Sequence, residues 1–197
     1  MNSRSNIYHD VADWLARPGA VGVIPTDTVY GIVCRATDTS AISRLYALKQ
    51  RQAKPGTVIA ASIEQLETLG LKRRYLTAVQ EFWPGAVSVV TPCGPELASL
   101  HQGKLSLAVR LPAKPALRAL LAQTGPLLTT SANQPEQPVA VTIEQAKRCF
   151  GDQLDFYVDG GDLSDHQPST IIRIVDDAIE VLRPGVVNIN DNEETNE

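Results

Sequence analysis

The sequence predicts a single α+β (α/β-like) domain in which helices flank a twisted, mixed β-sheet. Short apolar runs typical of strands alternate with segments of helical periodicity along most of the chain, and this alternation favours parallel pairing. Near residues 20–34 and 169–183, however, one strand-like run directly follows another, which favours antiparallel pairs in the same sheet. The chain has 197 residues, the size of one domain with a sizeable core.

The predicted elements begin with a helix over residues 8–15, in which Val11, Trp14 and Leu15 have helical spacing. Residues 20–24 form a predicted strand that ends at Pro25, and a second apolar run follows it. The remaining elements follow in chain order: a helix at about 40–49 capped by Thr39 or Ser40, a strand at 57–61, a helix from the capping box of Ser62 and Gln65, a helix at 74–83, strands at 86–91 and 105–111, a helix at 115–123, a strand at 126–130, a helix from the capping box of Thr142 and Gln145, and strands at 154–159, 169–175 and 179–182.

Composition and charge indicate an ordinary globular protein. Hydrophobic residues make up 43% and charged residues 20% of the chain, so neither disorder nor a fibrous class is indicated. The apolar runs are shorter than a membrane span, and the N-terminus has no apolar signal region. We therefore expect a cytoplasmic protein with no membrane association. The net charge of −4 argues against a surface that embraces nucleic acid, but it is compatible with a local basic cleft.

The cysteines and histidines give no sign of a metal centre or a disulfide framework. The cysteines are odd in number, lie far apart and contain no Cys-x-x-Cys spacing, which disfavours both structures. The histidines show no metal-ligand spacing and are assigned to the surface. These residues are Cys34, Cys93 and Cys149, and His9, His101 and His166.

The helix at 40–49 ends in a lysine that is out of pattern. Ile42, Leu45 and Tyr46 form an apolar stripe, and Lys49 continues it at the next helical position. One interpretation is that the ammonium reaches water, as charges at helix ends usually do. The other is that Lys49, with Arg51 and Lys54, forms a cationic cluster that binds an anion.

No common catalytic or phosphate-binding motif is present. The chain lacks Gly-x-x-x-x-Gly-Lys-Ser/Thr, Gly-x-Gly-x-x-Gly and Gly-x-Ser-x-Gly, so the common nucleotide cradles and acyl-enzyme chemistry are disfavoured. Cations and hydroxyl groups instead occur at strand ends, and Arg110 within an apolar strand requires an anion or a carboxylate to face. Singly these residues are typical of turns and caps, but together they would bind an anionic ligand. They are Thr26, Thr28, Lys49, Arg51, Lys54, Ser106, Arg110, Thr129, Ser131, Asn133, Ser169, Thr170 and Arg183.

A series of short motifs runs from residue 25 to residue 185. They are Pro25-Thr26-Asp27-Thr28-Val29-Tyr30-Gly31, Lys49-Gln50-Arg51, Trp83-Pro84-Gly85, Ala108-Val109-Arg110-Leu111-Pro112, Thr130-Ser131-Ala132-Asn133, Pro168-Ser169-Thr170 and Leu182-Arg183-Pro184-Gly185. The series resembles the YrdC-like family of threonylcarbamoyl-adenylate synthases in its short bacterial form. The resemblance implies a mixed sheet with a basic concave face over residues 1–187. Residues 188–197 are polar and acidic, so we expect a frayed tail there.

The resemblance also implies a reaction and a site. L-threonine, bicarbonate and ATP would give threonylcarbamoyl-adenylate and pyrophosphate, with Mg²⁺ accompanying ATP and no protein metal site. The product serves threonylcarbamoyladenosine formation in tRNA, so contact with tRNA and transfer to a threonylcarbamoyl-transferase complex are implied partners. The implied catalytic residues are Lys49 and Arg51; the implied ATP-binding residues are Lys49, Arg51, Lys54, Ser106, Ser131, Asn133 and Arg183; and the implied threonine-binding residues are Thr28, Arg110, Thr129 and Ser169.

The chain departs from the family pattern in places, so other functions stay open. Gln52 stands where proline is usual, and the segment to Lys54 is one residue short. Residues 134–139 replace the usual Ser-Gly continuation, and Lys114 replaces a frequent histidine. A non-catalytic member that binds tRNA or rRNA, and a paralogue acting on another carbamoyl or nucleotide substrate, are therefore the alternatives.

Overall fold

The computed structural model describes residues 7–50, 54–176 and 178–189, and these form one nine-stranded mixed sheet with helices against it. The strands are β1 (Gly22–Pro25), β2 (Tyr30–Arg35), β3 (Thr57–Ile59), β4 (Val87–Pro92), β5 (Ser106–Arg110), β6 (Leu127–Ser131), β7 (Phe156–Tyr157), β8 (Thr170–Val175) and β9 (Ala178–Arg183). The α-helices are α1 (Val11–Leu15), α2 (Thr39–Leu48), α3 (Ile63–Leu69), α4 (Arg73–Thr77), α5 (Ala98–His101), α6 (Pro115–Thr124) and α7 (Ile143–Phe150). Single 3₁₀ turns occur at Gln80–Phe82, Pro95–Leu97 and Gly151–Gln153.

The strand order is β7-β1-β2-β6-β3-β5-β4-β8-β9. Strands β1 and β2 pair antiparallel, as do β8 and β9, which confirms the pairing predicted near residues 20–34 and 169–183. Parallel pairs join β1 to β7, β3 to β5, and β4 to β8, so the predicted mixed sheet is confirmed. Because β2, β6, β3 and β5 are neighbours, side chains that are far apart in sequence meet on one part of the sheet.

Alternate residues of the central strands face two separate cores. Val23 and Val58 belong to the larger hydrophobic cluster, whereas the next residues, Ile24 and Ile59, belong to the smaller one. This is the period-2 alternation of a strand that is buried on both faces. Leu117 from α6 lies in the smaller core. The sheet is thus buried on both faces at these strands, whereas β9 at its edge is exposed along its whole length.

Two helices differ from their predicted form. Asp38 caps α2, because its carboxylate accepts the backbone N–H groups of Ser40 and Ala41 at 3.0 Å; the predicted caps at 39 and 40 are therefore wrong. The predicted helix at 74–83 breaks into α4 and a 3₁₀ turn, with Val79 at φ −123° between them. The N-caps at Ser62 and Thr142 are confirmed, since each hydroxyl accepts the N–H of the glutamine three residues later. The glutamine side chain in turn accepts the N–H of the residue before the cap, Ala61 or Val141.

One histidine lies in the interior, contrary to its predicted surface position. His101 is buried, and its Nδ1 accepts N–H groups from Gly103 at 3.0 Å and Leu105 at 3.3 Å. The ring fixes the turn that leads into β5, a short-range role that the sequence pattern does not indicate.

Cys34, Cys93 and Cys149 are free. Within the described ranges, no helix is long and apolar enough to cross a membrane. Of the predicted tail, Ile189 is buried in the larger core, and residues 190–197 lie outside the described part.

Candidate active site

Two adjoining pockets lie over the middle of the sheet. The first encloses about 100 Å³ and is walled by the turn after β1, by β2, β3, β5 and β6, and by the segments around Ser169 and Arg183. The second is a cleft of about 430 Å³ between the end of α2 and the turn after β6. Ser131 lines both. The two pockets therefore adjoin at Ser131 and have different linings.

Lys49 forms part of the wall between α2 and the turn after β6. Its side chain is only 3% exposed. The ammonium donates to the carbonyl oxygen of Ser131 at 2.8 Å, to Oδ1 of Asn133 at 2.8 Å, and to the carbonyl oxygen of Asn133. The interpretation in which Lys49 reaches water is wrong, because the apolar stripe of α2 points this residue at the core and the turn supplies the oxygens it needs.

The turn after β6 is tied to its surroundings by the amide of Asn133. Ser131 Oγ donates to Asn133 Oδ1 at 2.7 Å, and Asn133 Nδ2 donates to the carbonyl oxygen of Gln137 at 2.6 Å. The N–H of Ala132 donates to the carbonyl oxygen of Tyr30 in β2. The segment 134–139, which departs from the family pattern, is thereby joined to the wall of the cleft.

Arg110 faces a carboxylate, as its place in an apolar strand predicts. Its Nη2 lies 2.9 Å from Oδ1 of Asp27, and both side chains are buried. Burial lowers the pKa of Arg110, and the attraction of Asp27 opposes that shift. The Nε of Arg110 is buried without a hydrogen-bond partner among the described residues. Arg110 lines the first pocket, and among the described residues its guanidinium makes one hydrogen bond, from Nη2 to Asp27, so further N–H groups remain for a ligand.

Hydroxyl groups surround the same pocket. Thr26 Oγ1 donates to the carbonyl oxygen of Val29 at 2.7 Å and lies 3.0 Å from Thr28 Oγ1, so the turn after β1 is internally ordered. Gly31 has no side chain, and a Cβ there would lie 2.5 Å from Thr129 Oγ1. The glycine lets β2 approach the hydroxyl of Thr129 without filling the pocket.

Arg183 lies at the far side of the first pocket. Its Nη2 donates to the carbonyl oxygen of Ser169 at 2.6 Å and to Ser169 Oγ at 3.1 Å. Ser169 Oγ also lies 3.0 Å from Ser88 Oγ. The guanidinium is therefore held over the pocket by the segment that precedes β8.

The predicted site residues are mostly brought together. All four predicted threonine-binding residues line the first pocket, together with Arg183: they are Thr28, Arg110, Thr129 and Ser169. Four of the predicted ATP-binding residues line the cleft: Lys49, Lys54, Ser131 and Asn133. Ser106 lines neither pocket, although its position in β5 puts it on the same face as Ala108 and Arg110. Arg51 lies outside the described residues.

Thr57 and Asp27 belong to this neighbourhood and were not predicted as site residues. Thr57 lines the first pocket, and Asp27 is the partner of Arg110. A signal for Asp27 exists in the sequence, because a buried arginine needs a carboxylate and Asp27 lies in the first motif. No comparable signal separates Thr57 from an ordinary strand residue.

Comparisons with known proteins agree on one family. A family model described as Sua5, YciO and YrdC, telomere recombination, matches residues 15–185. A putative threonylcarbamoyl-AMP synthase from Mycobacterium tuberculosis is 35% identical over 176 residues, which are 87% of this chain and 81% of the relative. A threonylcarbamoyl-AMP synthase from Stutzerimonas stutzeri is 33% identical over 185 residues, with 88% and 99% covered. The synthase of Bacillus subtilis is 33% identical over 87% of this chain, which matches only 51% of that relative.

Solved structures show the same fold. P. abyssi Sua5 complexed with L-threonine has a TM-score of 0.82 at 28% identity, over 93% of this chain and 55% of the Sua5 chain. E. coli YciO has a TM-score of 0.80 over 95% of this chain and 93% of YciO. At 24% identity the YciO match supports the fold alone. This chain thus corresponds to about half of Sua5 and to nearly all of YciO.

Proposed function

Because the chain belongs to the Sua5, YciO and YrdC family, we propose that it is a threonylcarbamoyl-AMP synthase, which converts L-threonine, bicarbonate and ATP into threonylcarbamoyl-adenylate and pyrophosphate. The supporting observation is the pair of adjoining pockets that share Ser131 in their linings. One presents a buried guanidinium and hydroxyl groups, which suit an amino acid. The other presents lysines and amide oxygens, which suit a nucleotide and its phosphates.

The first pocket would hold threonine. A carboxylate entering it would meet the guanidinium of Arg110, which lines this pocket. Thr28, Thr129 and Ser169 offer hydroxyl groups around the rest of the ligand. Hydroxyls both donate and accept, so they suit a substrate that has an amine and an alcohol.

The second pocket would hold ATP. The carbamate formed on the threonine amine attacks the α-phosphorus, and negative charge accumulates on the departing pyrophosphate. Fixed cations at that position stabilise this charge without reorganising. Lys49 lies on the wall of the cleft, where a phosphate oxygen can replace Asn133 Oδ1 as one of its acceptors. Arg51 and Lys54 are proposed to contribute further positive charge.

Mg²⁺ is proposed to enter with ATP. Across the described ranges, no three His, Cys, Asp or Glu side chains are grouped so that they could hold a metal ion. The metal ion would therefore be held mainly by phosphate oxygens and water, as is common for Mg²⁺. It would neutralise charge on the phosphates, while the protein residues orient the reacting groups.

The reaction suggests partners. The adenylate product would be passed to tRNA modification, so we propose contact with tRNA or with a threonylcarbamoyl-transferase complex, and a place in the cytoplasm where these are found.

The RNA-binding alternative without catalysis predicts a different salt response. Binding through phosphate backbones weakens steeply with ionic strength, whereas binding in an enclosed pocket responds modestly.

The decisive experiment measures pyrophosphate release from ATP, L-threonine and bicarbonate, with each substrate omitted in turn. Release should require all three substrates and Mg²⁺. Pyrophosphate release that does not require threonine would overturn the proposal. Repeating the assay between low and moderate salt, with labelled tRNA binding measured in parallel, separates the synthase from a purely RNA-binding protein.

A further inference from the structure

Asp27 connects segments that are distant along the sheet. It lies in the turn between β1 and β2, while Arg110 ends β5, and strands β6 and β3 lie between β2 and β5. Its Oδ1 accepts from Arg110 Nη2 at 2.9 Å, and its Oδ2 accepts the backbone N–H of Ala113 at 3.4 Å. Both of these hydrogen bonds, which join the turn to residues 110–113, therefore end on one carboxylate.

The side chain of Asp27 stands behind the pocket rather than in it. Thr26 and Thr28 on either side line the first pocket, but Asp27 does not. Its side chain is 6% exposed and that of Arg110 is 4% exposed. A substrate in the pocket would thus touch Arg110 and not Asp27. The carboxylate can act on a ligand only through the guanidinium that it holds.

We propose that Asp27 is a positioning residue that fixes the guanidinium of Arg110 for the carboxylate of the amino-acid substrate. The inference rests on the proposed function and extends it to substrate selection. An arginine side chain has many rotamers, and ordering it on binding costs affinity. Because Asp27 holds Nη2, the other N–H groups of the guanidinium are already placed when the carboxylate arrives.

The test compares Asp27→Asn and Asp27→Glu with the wild-type protein in the pyrophosphate assay. Asp27→Asn removes the charge, and Asp27→Glu keeps the charge but lengthens the side chain, so it displaces the guanidinium without leaving it unpaired. Both variants should raise the KM for L-threonine by about 10-fold or more, since a charge-assisted hydrogen bond is misplaced. The KM for ATP should stay within about twofold of wild type.

A second substrate distinguishes positioning from general support of the fold. L-threoninamide has the amine but no carboxylate, so the wild-type protein should strongly prefer L-threonine. Both Asp27 variants should lose most of that preference. The matched control is Asp155→Asn, which removes a carboxylate paired with Arg44 at 2.6 Å away from the pockets, and which should keep the preference and both KM values.

The outcomes separate the two proposals. If Asp27→Glu keeps the wild-type KM values and the wild-type preference for L-threonine over L-threoninamide, Asp27 only neutralises charge. That result would overturn the inference. An equal fall in turnover with both substrates, without a change in preference, would also overturn it. If the wild-type protein releases pyrophosphate without threonine, the proposed function fails first, and the inference falls with it.

Discussion

The ammonium of Lys49 lies 2.8 Å from Oδ1 of Asn133, so the end of α2 and the turn after β6 are joined inside the protein. The same ammonium donates to the carbonyl oxygen of Ser131 at 2.8 Å. Lys49 therefore shapes the wall that the two pockets share and also presents its charge to the cleft. Loss of the ammonium should affect stability and catalysis together.

Lys49→Met should show both effects, because it keeps the length of the side chain and removes its donors. Buried oxygens of the 131–133 turn lose a partner, which costs about 1–3 kcal/mol. In a chain of this size that corresponds to a fall in melting temperature of roughly 2–4 °C per kcal/mol. Threonine-dependent pyrophosphate release should fall at least about 10-fold if the ammonium meets phosphate in the transition state.

Lys54→Met is the matched control for the stability effect. Lys54 lines the same cleft but is exposed, so its replacement should leave the melting temperature unchanged. Wild-type turnover in Lys49→Met, with a lowered melting temperature, would show that Lys49 only supports the turn. The turnover of Lys54→Met shows whether Lys54 takes part in the reaction, although the segment that leads to it is one residue shorter than the family pattern.

Arg183→Ala should reduce turnover by about 10-fold or more. The guanidinium lies on the first pocket and donates to Ser169, so its removal takes a cation from the site and loosens Ser169. Arg173 provides the control on the same β8–β9 hairpin. It pairs with Glu180 at 2.6 Å, and both side chains are about half exposed. Arg173→Ala should leave steady-state rates unchanged, and equal losses in both variants would point to damage to the hairpin instead.

Gly31→Ala should weaken threonine binding more than ATP binding. The new Cβ would lie 2.5 Å from Thr129 Oγ1 and 3.3 Å from Thr26 Cγ2, so it displaces pocket hydroxyls. Isothermal titration calorimetry with each substrate measures the two affinities separately. A variant that folds with the wild-type affinity for threonine would show that Thr129 does not contact this substrate.

The sequence predicts the fold because the length of chain between consecutive apolar runs indicates whether the two strands pair parallel or antiparallel. The back-to-back runs near residues 20–34 and 169–183 have no room for a crossover helix, so their antiparallel pairing follows from local chain length. The break at Val79 and the burial of His101 depend on the fit of short segments to the sheet. Neither leaves a periodic signal in the sequence.

The sequence predicts which residues belong to the site, but it does not predict the contacts that these residues make with one another. A buried arginine in an apolar strand requires an anion, and this requirement is met by Asp27. Which carboxylate meets it depends on how the turn after β1 passes over the neighbouring strands, and that is a property of the whole sheet. Likewise, the apolar stripe of α2 orients Lys49 inward, but its partners come from β6, far along the chain.

Acid stability should depend on Asp38, the cap of α2. Its pKa is lowered to about 2, first by the hydroxyl of Ser40 and then by backbone N–H groups that include those of Ala41 and Gly19. A lowered folded-state pKa means that this stabilisation is fully present above the usual pKa of 3.8 and is lost as the pH falls to about 2. The melting temperatures of the wild-type protein and Asp38→Asn should therefore differ most above pH 4 and converge near pH 2. Thermal unfolding followed by circular dichroism across this range measures the difference, and parallel curves for the two proteins would show that the charge of Asp38 does not stabilise the helix.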